Sequence, residues 1–278
     1  MANYTAADIK DLRERTGAGM MDVKKALDEA EGDAQKAMEI IRIKGLKGAT
    51  KREGRSAAEG LIVATVNDGE GVMVEINCET DFVAKNQKFI DLANNVLEVA
   101  VSSGADDAEA LLAAEYDGKT LGEYVTEEAA TLGEKVAVRR VARVSGAYVD
   151  AYLHKTSKDL PAQVGVLMAV STDDEKAQEA AHDVAVHIAA LSPTYLTRDE
   201  VPAETVENER RVAKDTARAE NKPEKAMEQI VNGRLNGYYK DVVLVDQPFA
   251  KDSKTTVGKV LEEAGTEAVQ FARFRVGA

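Results

Sequence analysis

Tryptophan is absent from the chain, phenylalanine is held to five residues, and Cys78 is the single cysteine. One thiol excludes an intrachain disulfide and fits a reducing, cytoplasmic setting. With so few aromatics the core has to be built mainly from Ala, Val, Leu and Ile, which the 44% hydrophobic content allows. No run approaches the ~18 apolar residues of a membrane span. The start, Met1-Ala2-Asn3-Tyr4-Thr5, lacks the charged region and apolar stretch of a secretory leader. Phosphate-cradling loops are missing too: no G-x-x-x-x-G-K-[ST] occurs, and Gly17-Ala18-Gly19 runs into Met20-Met21-Asp22 without completing a dinucleotide fingerprint. Histidine is scarce, at three residues. His182 and His187 stand five apart on a predicted helix, about 140° around its axis, a poor arrangement for sharing one ion. No metal and no cofactor is therefore expected. Cys78 and His154 could be imagined as nucleophile and base, but no spacing joins them, and a buried strand cysteine is the simpler reading. The chain reads as a non-enzymatic protein that works by gripping another.

What is abundant is charge, with a net of −13, which argues against general binding to nucleic acid. It is unevenly spread. Residues 1–55 carry 12 basic and 10 acidic side chains, and the remaining 24 basic and 39 acidic residues leave the rest at −15. Arg42, Lys44, Lys47, Lys51, Arg52 and Arg55 form a basic stretch opposed only by Glu53. No aromatic residues interleave with them to stack bases, so a solvated linker is favoured over a nucleic-acid patch.

At 278 residues the chain can hold one large domain or two or three smaller ones. The first 45 residues predict three short helices. Thr5 and Asp8 sit in capping-box positions ahead of Ala6, Ile9 and Leu12. Val23, Ala26, Leu27 and Ala30 stripe a second helix; Asp33 opens a third, striped by Ala34, Ala37, Met38 and Ile41, which Gly45 is expected to end. From Ala57 the texture changes. Residues 61–66 and 72–78 predict strands joined by Asn67-Asp68-Gly69-Glu70-Gly71, followed by a helix burying Phe89, Leu92, Ala93, Val96 and Ala100, and a third strand over 136–144. The plan then repeats: strands over 148–153 and 164–170 and a helix burying Ala177, Ala180, Ala181, Val184, Ile188 and Leu191. Thr256-Val257-Gly258-Lys259 echoes Thr120-Leu121-Gly122-Glu123, and each precedes a closing strand, Glu134, Val136, Val138 and Arg140 corresponding to Glu267, Val269, Phe271 and Arg273. This reads as a degenerate duplication of an α+β unit. Residues 203–240 interrupt the second copy with two helical segments broken at Asn221-Lys222-Pro223, an expected antiparallel helical hairpin. The reading is thus α+β: a three-helix module and basic linker over 1–55, one subdomain over 56–145, and another over 146–278 carrying the hairpin.

Within the first subdomain, Thr80-Asp81-Phe82-Val83-Ala84-Lys85-Asn86 follows a strand. Thr80 or Asp81 would cap the next helix, leaving Phe82 in its first turn, as a core residue or as an exposed tip. That heptad resembles a signature of the elongation factor Ts family of bacteria. So do Leu12-Arg13-Glu14-Arg15-Thr16-Gly17-Ala18-Gly19-Met20-Met21-Asp22, Gly133-Glu134 with Arg139-Arg140-Val141, Gly165-Val166-Leu167, Gly233-Arg234, Gln247-Pro248-Phe249, Thr256-Val257-Gly258 and Phe271-Ala272-Arg273-Phe274. The resemblance covers essentially the whole chain in order, and the connection 154–163 and Arg234-Leu235-Asn236-Gly237 look actinobacterial.

The resemblance implies an N-terminal three-helix module of ubiquitin-associated type, two related α+β subdomains and a projecting coiled-coil hairpin. It also implies elongation factor Tu as partner, in GDP-bound and nucleotide-free forms, with accelerated GDP release. Carried onto this chain, Thr80, Asp81, Phe82 and Val83 would form the loop that dislodges Mg²⁺, with Phe82 as the wedge. Arg13, Gly17, Met20 and Met21 would dock the N-terminal module on the same partner domain, and His154 and His187 would face the partner's other domains. Several family members continue into a helical C-terminal module; this sequence stops at Ala278, so contacts of that module do not carry over. Two other classes stay open: a ubiquitin-associated-type adaptor, using residues 1–45, and an RNA-binding, ribosome-associated factor, using the basic stretch.

Overall fold

The computed structural model describes the backbone of residues 4–16, 18, 20–52 and 55–278, and their side chains except 14, 42 and 45–52. Much of the basic stretch thus lies outside the described side chains, as does Gly17 altogether. Three helices lead: α1 (Ala6–Thr16), α2 (Met20–Glu29) and α3 (Ala34–Arg52). Thr5 and Asp8 cap α1 reciprocally, the Thr5 amide donating to the Asp8 carboxylate at 2.6 Å and the Asp8 amide to Thr5 Oγ1 at 3.3 Å. Leu12, Val23, Ala26, Leu27, Ala30 and Ala37 form their shared core. The expected stop at Gly45 does not occur, since α3 runs on to Arg52. A glycine keeps its backbone N–H, so inside a helix it costs only about 1 kcal/mol and does not by itself end one.

Next come β1 (Glu59–Asn67) and β2 (Glu70–Cys78), the one-turn α4 (Asp81–Ala84), α5 (Gln87–Ser103) and α6 (Ala108–Ala113). The short β3 (Glu115–Tyr116) and β4 (Lys119–Thr120) lead into α7 (Leu121–Leu132) and β5 (Ala137–Ser145). The β1–β2 connection is tighter than its five-residue turn signal. Asn67 pairs with Glu70, and only Asp68 (φ 47°) and Gly69 (φ 77°) turn the chain. Two successive residues with positive φ match the twist of a two-residue hairpin. The rest of the chain forms β6 (Tyr148–His154), β7 (Val164–Val170), α8 (Glu175–Leu191), α9 (Ala203–Ala219), α10 (Met227–Val242), α11 (Val257–Glu263) and β8 (Ala268–Arg275).

The fold is α+β, with two antiparallel three-stranded sheets ordered β1-β2-β5 and β6-β7-β8. Strand alternation gives each sheet two apolar faces. Leu61, Val72, Val74 and Ile76 pack outward with Phe89, Leu92 and Val96 of α5. Val166, Met168 and Val170 do the same with Ala181, Val184 and Ile188 of α8. The inner faces meet through Ile62, Met73, Val144, Val149, Leu167 and Phe274. Gly165 lies at the closest approach, where a Cβ would come within 2.6 Å of Ile62 Cγ2 and of Met73 Sδ. Any side chain there would push the sheets apart.

Leu191, expected on the buried face of α8, is instead 46% exposed. It is the last helical residue, before the left-handed cap Ser192 (φ 54°). The closing strands also align differently from their sequence echo. β5 and β8 each carry a one-residue bulge, Arg139 and Val269 falling between paired neighbours. Counted from the bulge, Arg143 faces Val72 as Arg273 faces Val166, so Arg273 corresponds to Arg143 and not to Arg140. A bulge shifts register invisibly to pattern matching.

Helices α9 and α10 form a hairpin, turning where Asn221 (φ 55°) precedes Lys222 and Pro223. Ala213 and Ala217 pack against Met227 and Val231. No described helix is long and apolar enough to cross a membrane.

Candidate functional site

The segment after β2 is built by successive caps. Thr80 adopts an extended backbone and its hydroxyl accepts the Val83 amide at 3.4 Å, starting α4. Asn86 then caps α5, its Oδ1 accepting the Lys88 amide at 3.0 Å. Between these caps only one turn of helix fits, and adjacent residues on it diverge by about 100°. Val83 and Ala84 therefore enter the core, while Phe82 points outward and is 73% exposed. The alternative of a core phenylalanine is thereby excluded. Val83, expected with Phe82 on the contacting loop, is buried in the core and anchors that loop from below. Lys85 Nζ stands 4.6 Å from the Phe82 ring centroid and 3.3 Å from an Asp81 carboxylate oxygen.

A residue with no assigned role in the sequence reading braces this turn. Glu134 Oε2 accepts the amides of Glu79 and Thr80, each at 3.0 Å, and Oε1 accepts the Thr80 hydroxyl at 2.6 Å. Reciprocally, Glu79 Oε1 accepts the Lys135 amide at 2.7 Å. Charge-assisted bonds of this kind are roughly twice as strong as neutral ones. The sequence marked Glu134 only through the Gly133-Glu134 motif and the closing-strand echo, just after the left-handed cap Gly133 (φ 80°) of α7; its partners are 54 and 55 residues away.

The N-terminal candidates reach the same neighbourhood. A groove of about 680 Å³ is lined by Ile9, Arg13 and Met20 on one side and by Asn86, Lys88 and Leu132 on the other. Asn86, the cap that ends the Phe82 turn, thus shares a groove with Arg13 and Met20. Met20 and Met21 are 58% and 62% exposed. Exposed methionines, like the exposed phenylalanine, offer adaptable apolar surface of the sort that binds protein.

The remaining candidates lie elsewhere. His154 is exposed at the end of β6, its Nδ1 3.0 Å from the Tyr152 hydroxyl. His187, expected on a partner-facing surface, is instead 1% exposed. Its Nδ1 accepts the Ala250 amide at 3.1 Å, so Nε2 carries the proton, donated to Gln247 Oε1 at 2.8 Å. Both ring nitrogens are used inside the protein, a structural role. Burial lowers its pKa. The unfolded chain therefore binds this proton more readily, so stability falls as pH drops below the ordinary histidine value of about 6.5. His187→Gln is expected to flatten that part of the melting-temperature profile between pH 8 and 5; an unchanged slope would contradict the assignment. His182 instead pairs with Asp150 at 3.2 Å. Cys78 is buried and donates to the Thr80 carbonyl at 3.2 Å, and burial pushes its thiol pKa up to about 12. It is no nucleophile at neutral pH, and His154 lies in the other sheet.

Residues 79–278 match the sequence pattern of the family described as Elongation factor TS. The chain is similar throughout to Elongation factor Ts of Micrococcus luteus, 74% identical over 277 residues and covering all of both chains. The corresponding proteins of Paenarthrobacter aurescens and Kineococcus radiotolerans are 72% and 58% identical, again with full coverage of both. With the pattern spanning most of the chain and relatives matching all of it, the chain belongs to the elongation factor Ts family of translation factors.

Proposed function

We propose that this chain accelerates GDP release from elongation factor Tu, acting as a non-enzymatic exchange factor. Phe82 is the wedge, and the turn Thr80–Val83 displaces the Mg²⁺ that holds GDP. The observation that carries the reading is Phe82 itself: a large apolar side chain, 73% exposed, on a turn held from both sides. Mg²⁺ neutralises phosphate charge, so moving it removes a large electrostatic contribution to GDP binding. Burying one phenylalanine yields only ~1.5–3 kcal/mol. Further grip has to come from Arg13 and Met20 along the shared groove, from the exposed Met21, and from the second sheet near His154.

Three units do this work: residues 1–55, 56–145 and 146–278, the last two being copies of one α+β plan. Matching strand orders, matching bulges and the threonine caps Thr120 and Thr256 support the duplication. Partner binding is to protein, with no direct contact to nucleic acid or membrane.

Release of a fluorescent GDP analogue from elongation factor Tu tests the function directly. Catalytic amounts of this chain should accelerate release, and no acceleration at stoichiometric concentration would end the proposal. Alone, the chain should bind neither GDP nor GTP. Micromolar binding in calorimetry without the partner would contradict the division of labour.

Glu134 acts as a positioning residue. Glu134→Ala removes three bonds to the turn and should slow assisted release at least roughly fivefold, equivalent to ~1 kcal/mol of lost positioning. Glu134→Gln, which can still accept the two amides and donate to Thr80, should recover most of the rate. Equal loss in both variants would point to the carboxylate's charge and away from positioning.

A further inference from the structure

Strand by strand, the two sheets correspond, and the correspondence leaves one arginine without a contact its counterpart has. Helices α5 and α8 both end in left-handed caps, Gly104 (φ 70°) and Ser192 (φ 54°), and Arg143 and Arg273 face them from equivalent places in β5 and β8. Arg143 is fully engaged. It donates to the Ala100 carbonyl and, from Nε at 3.1 Å, to the Ala105 carbonyl. Carboxylates of Glu70 and Asp106 stand 3.1 and 3.8 Å away. The acidic segment after Gly104 thus lies along β5 and leads into α6.

Arg273 has the first of these contacts and lacks the second. Its Nη2 donates to the Ala189 carbonyl at 3.2 Å, but its Nε is buried without a partner. Beyond Ser192, Tyr195 pairs with Val243 at the base of the α9–α10 hairpin. No residue after Ser192 takes on Arg273 Nε the place that Ala105 takes on Arg143 Nε. What remains beside β8, an edge strand, is a groove of about 570 Å³ reaching from Pro193 and Thr194 to Gln270, Phe271 and Arg273. Val269 stands in its lining, 45% exposed. The one acidic residue of the lining, Glu200, accepts the Leu196 amide at 2.7 Å. Burial and the neighbouring Arg275 and Arg140 disfavour the charge on Arg273, so an acceptor arriving there meets an uncompensated cation.

We propose that the groove beside β8 docks an extended acidic segment of a partner protein, which gives Arg273 the carbonyl and carboxylate that residues 105 and 106 give Arg143. Polypeptide is the occupant because polypeptide fills the equivalent place in the first sheet. Acidity follows from the same template, whose Ala105-Asp106-Asp107 run presents carboxylates beside the carbonyl. A guanidinium recognises such a pair through directed, charge-assisted bonds.

The test titrates a synthetic peptide with the sequence of residues 103–112, Ser-Gly-Ala-Asp-Asp-Ala-Glu-Ala-Leu-Leu, into the isotopically labelled full chain. Amide shifts should move at Thr194 and at residues 269–273. Replacing the peptide's three acids by their amides should weaken binding at least fivefold. Arg273→Gln should do the same. Val269→Asp, which leaves the Arg273–Ala189 bond in place, should weaken it comparably with no change in melting temperature. Equal affinity for the neutral peptide, or shifts that are absent or lie elsewhere, would overturn the proposal. So would a uridine oligonucleotide moving the same resonances at lower concentration, or self-association of the chain that Val269→Asp abolishes.

Discussion

Phe82→Ala is expected to slow assisted GDP release at least roughly tenfold while leaving the melting temperature almost unchanged. Tenfold corresponds to ~1.4 kcal/mol, less than the transfer free energy of one phenylalanine side chain. Stability should hold because 73% of Phe82 already faces solvent, whereas truncating a buried phenylalanine typically costs ~3–5 kcal/mol. Phe89, seven residues on and fully buried, provides the contrast: Phe89→Ala should lower stability by that larger amount. Asp81→Ala should slow release more mildly, since it removes one polar contact and the 3.3 Å pairing with Lys85. Stopped-flow release and thermal melting of the same samples separate the effects. A Phe82→Ala protein that melts early, yet exchanges normally in its folded fraction, would refute the wedge.

Arg140→Met is expected to cost about 3 kcal/mol of stability. Glu75 is fully buried between the sheets, and its carboxylate takes a 2.6 Å bond from Arg140 Nε. It also accepts from Asn77 Nδ2 at 3.1 Å and from the Gly277 amide at 3.3 Å. Arg140 reaches across to donate to the Arg275 carbonyl at 3.0 Å, and its guanidinium lies 4.4 Å from the Phe274 ring centroid. The pair thus ties β5 of the first sheet to the end of β8 in the second. Removing the cation strands a buried carboxylate, a change that commonly costs ~3–5 kcal/mol; partial exposure of Arg140 favours the lower end. Glu75→Gln combined with Arg140→Met should recover much of the loss, because no buried charge is left unpaired. Urea denaturation of the single and double variants measures the coupling. A loss under ~0.5 kcal/mol in Arg140→Met would show that the other two donors suffice.

These two residues mark how far the amino-acid sequence reaches. Thr5 with Asp8, Asp33 and Thr80 announced helix starts, because capping is satisfied within three or four residues of chain. The apolar spacing of α5 was equally legible, since a helix's period and its buried face are the same fact; β2 was legible as a strand although both of its faces are buried. The resemblance to the family rested on motifs spread over the whole chain, and the motif Thr80–Asn86 marked the candidate site.

Tertiary structure alone decided everything that depends on distant partners. Whether Phe82 faced core or solvent turned on two caps that leave room for a single helical turn. Glu134 acquired its role from amides 54 and 55 residues away. His187 was committed to Gln247 and Ala250, 60 and 63 residues on, and so left the surface. The bulges at Arg139 and Val269 shifted the closing strands, so only backbone pairing matched Arg273 with Arg143. Local sequence sets caps, periods and turns because their energies arise between near neighbours. Burial, register and the partner of a charge arise between segments that the chain brings together only on folding.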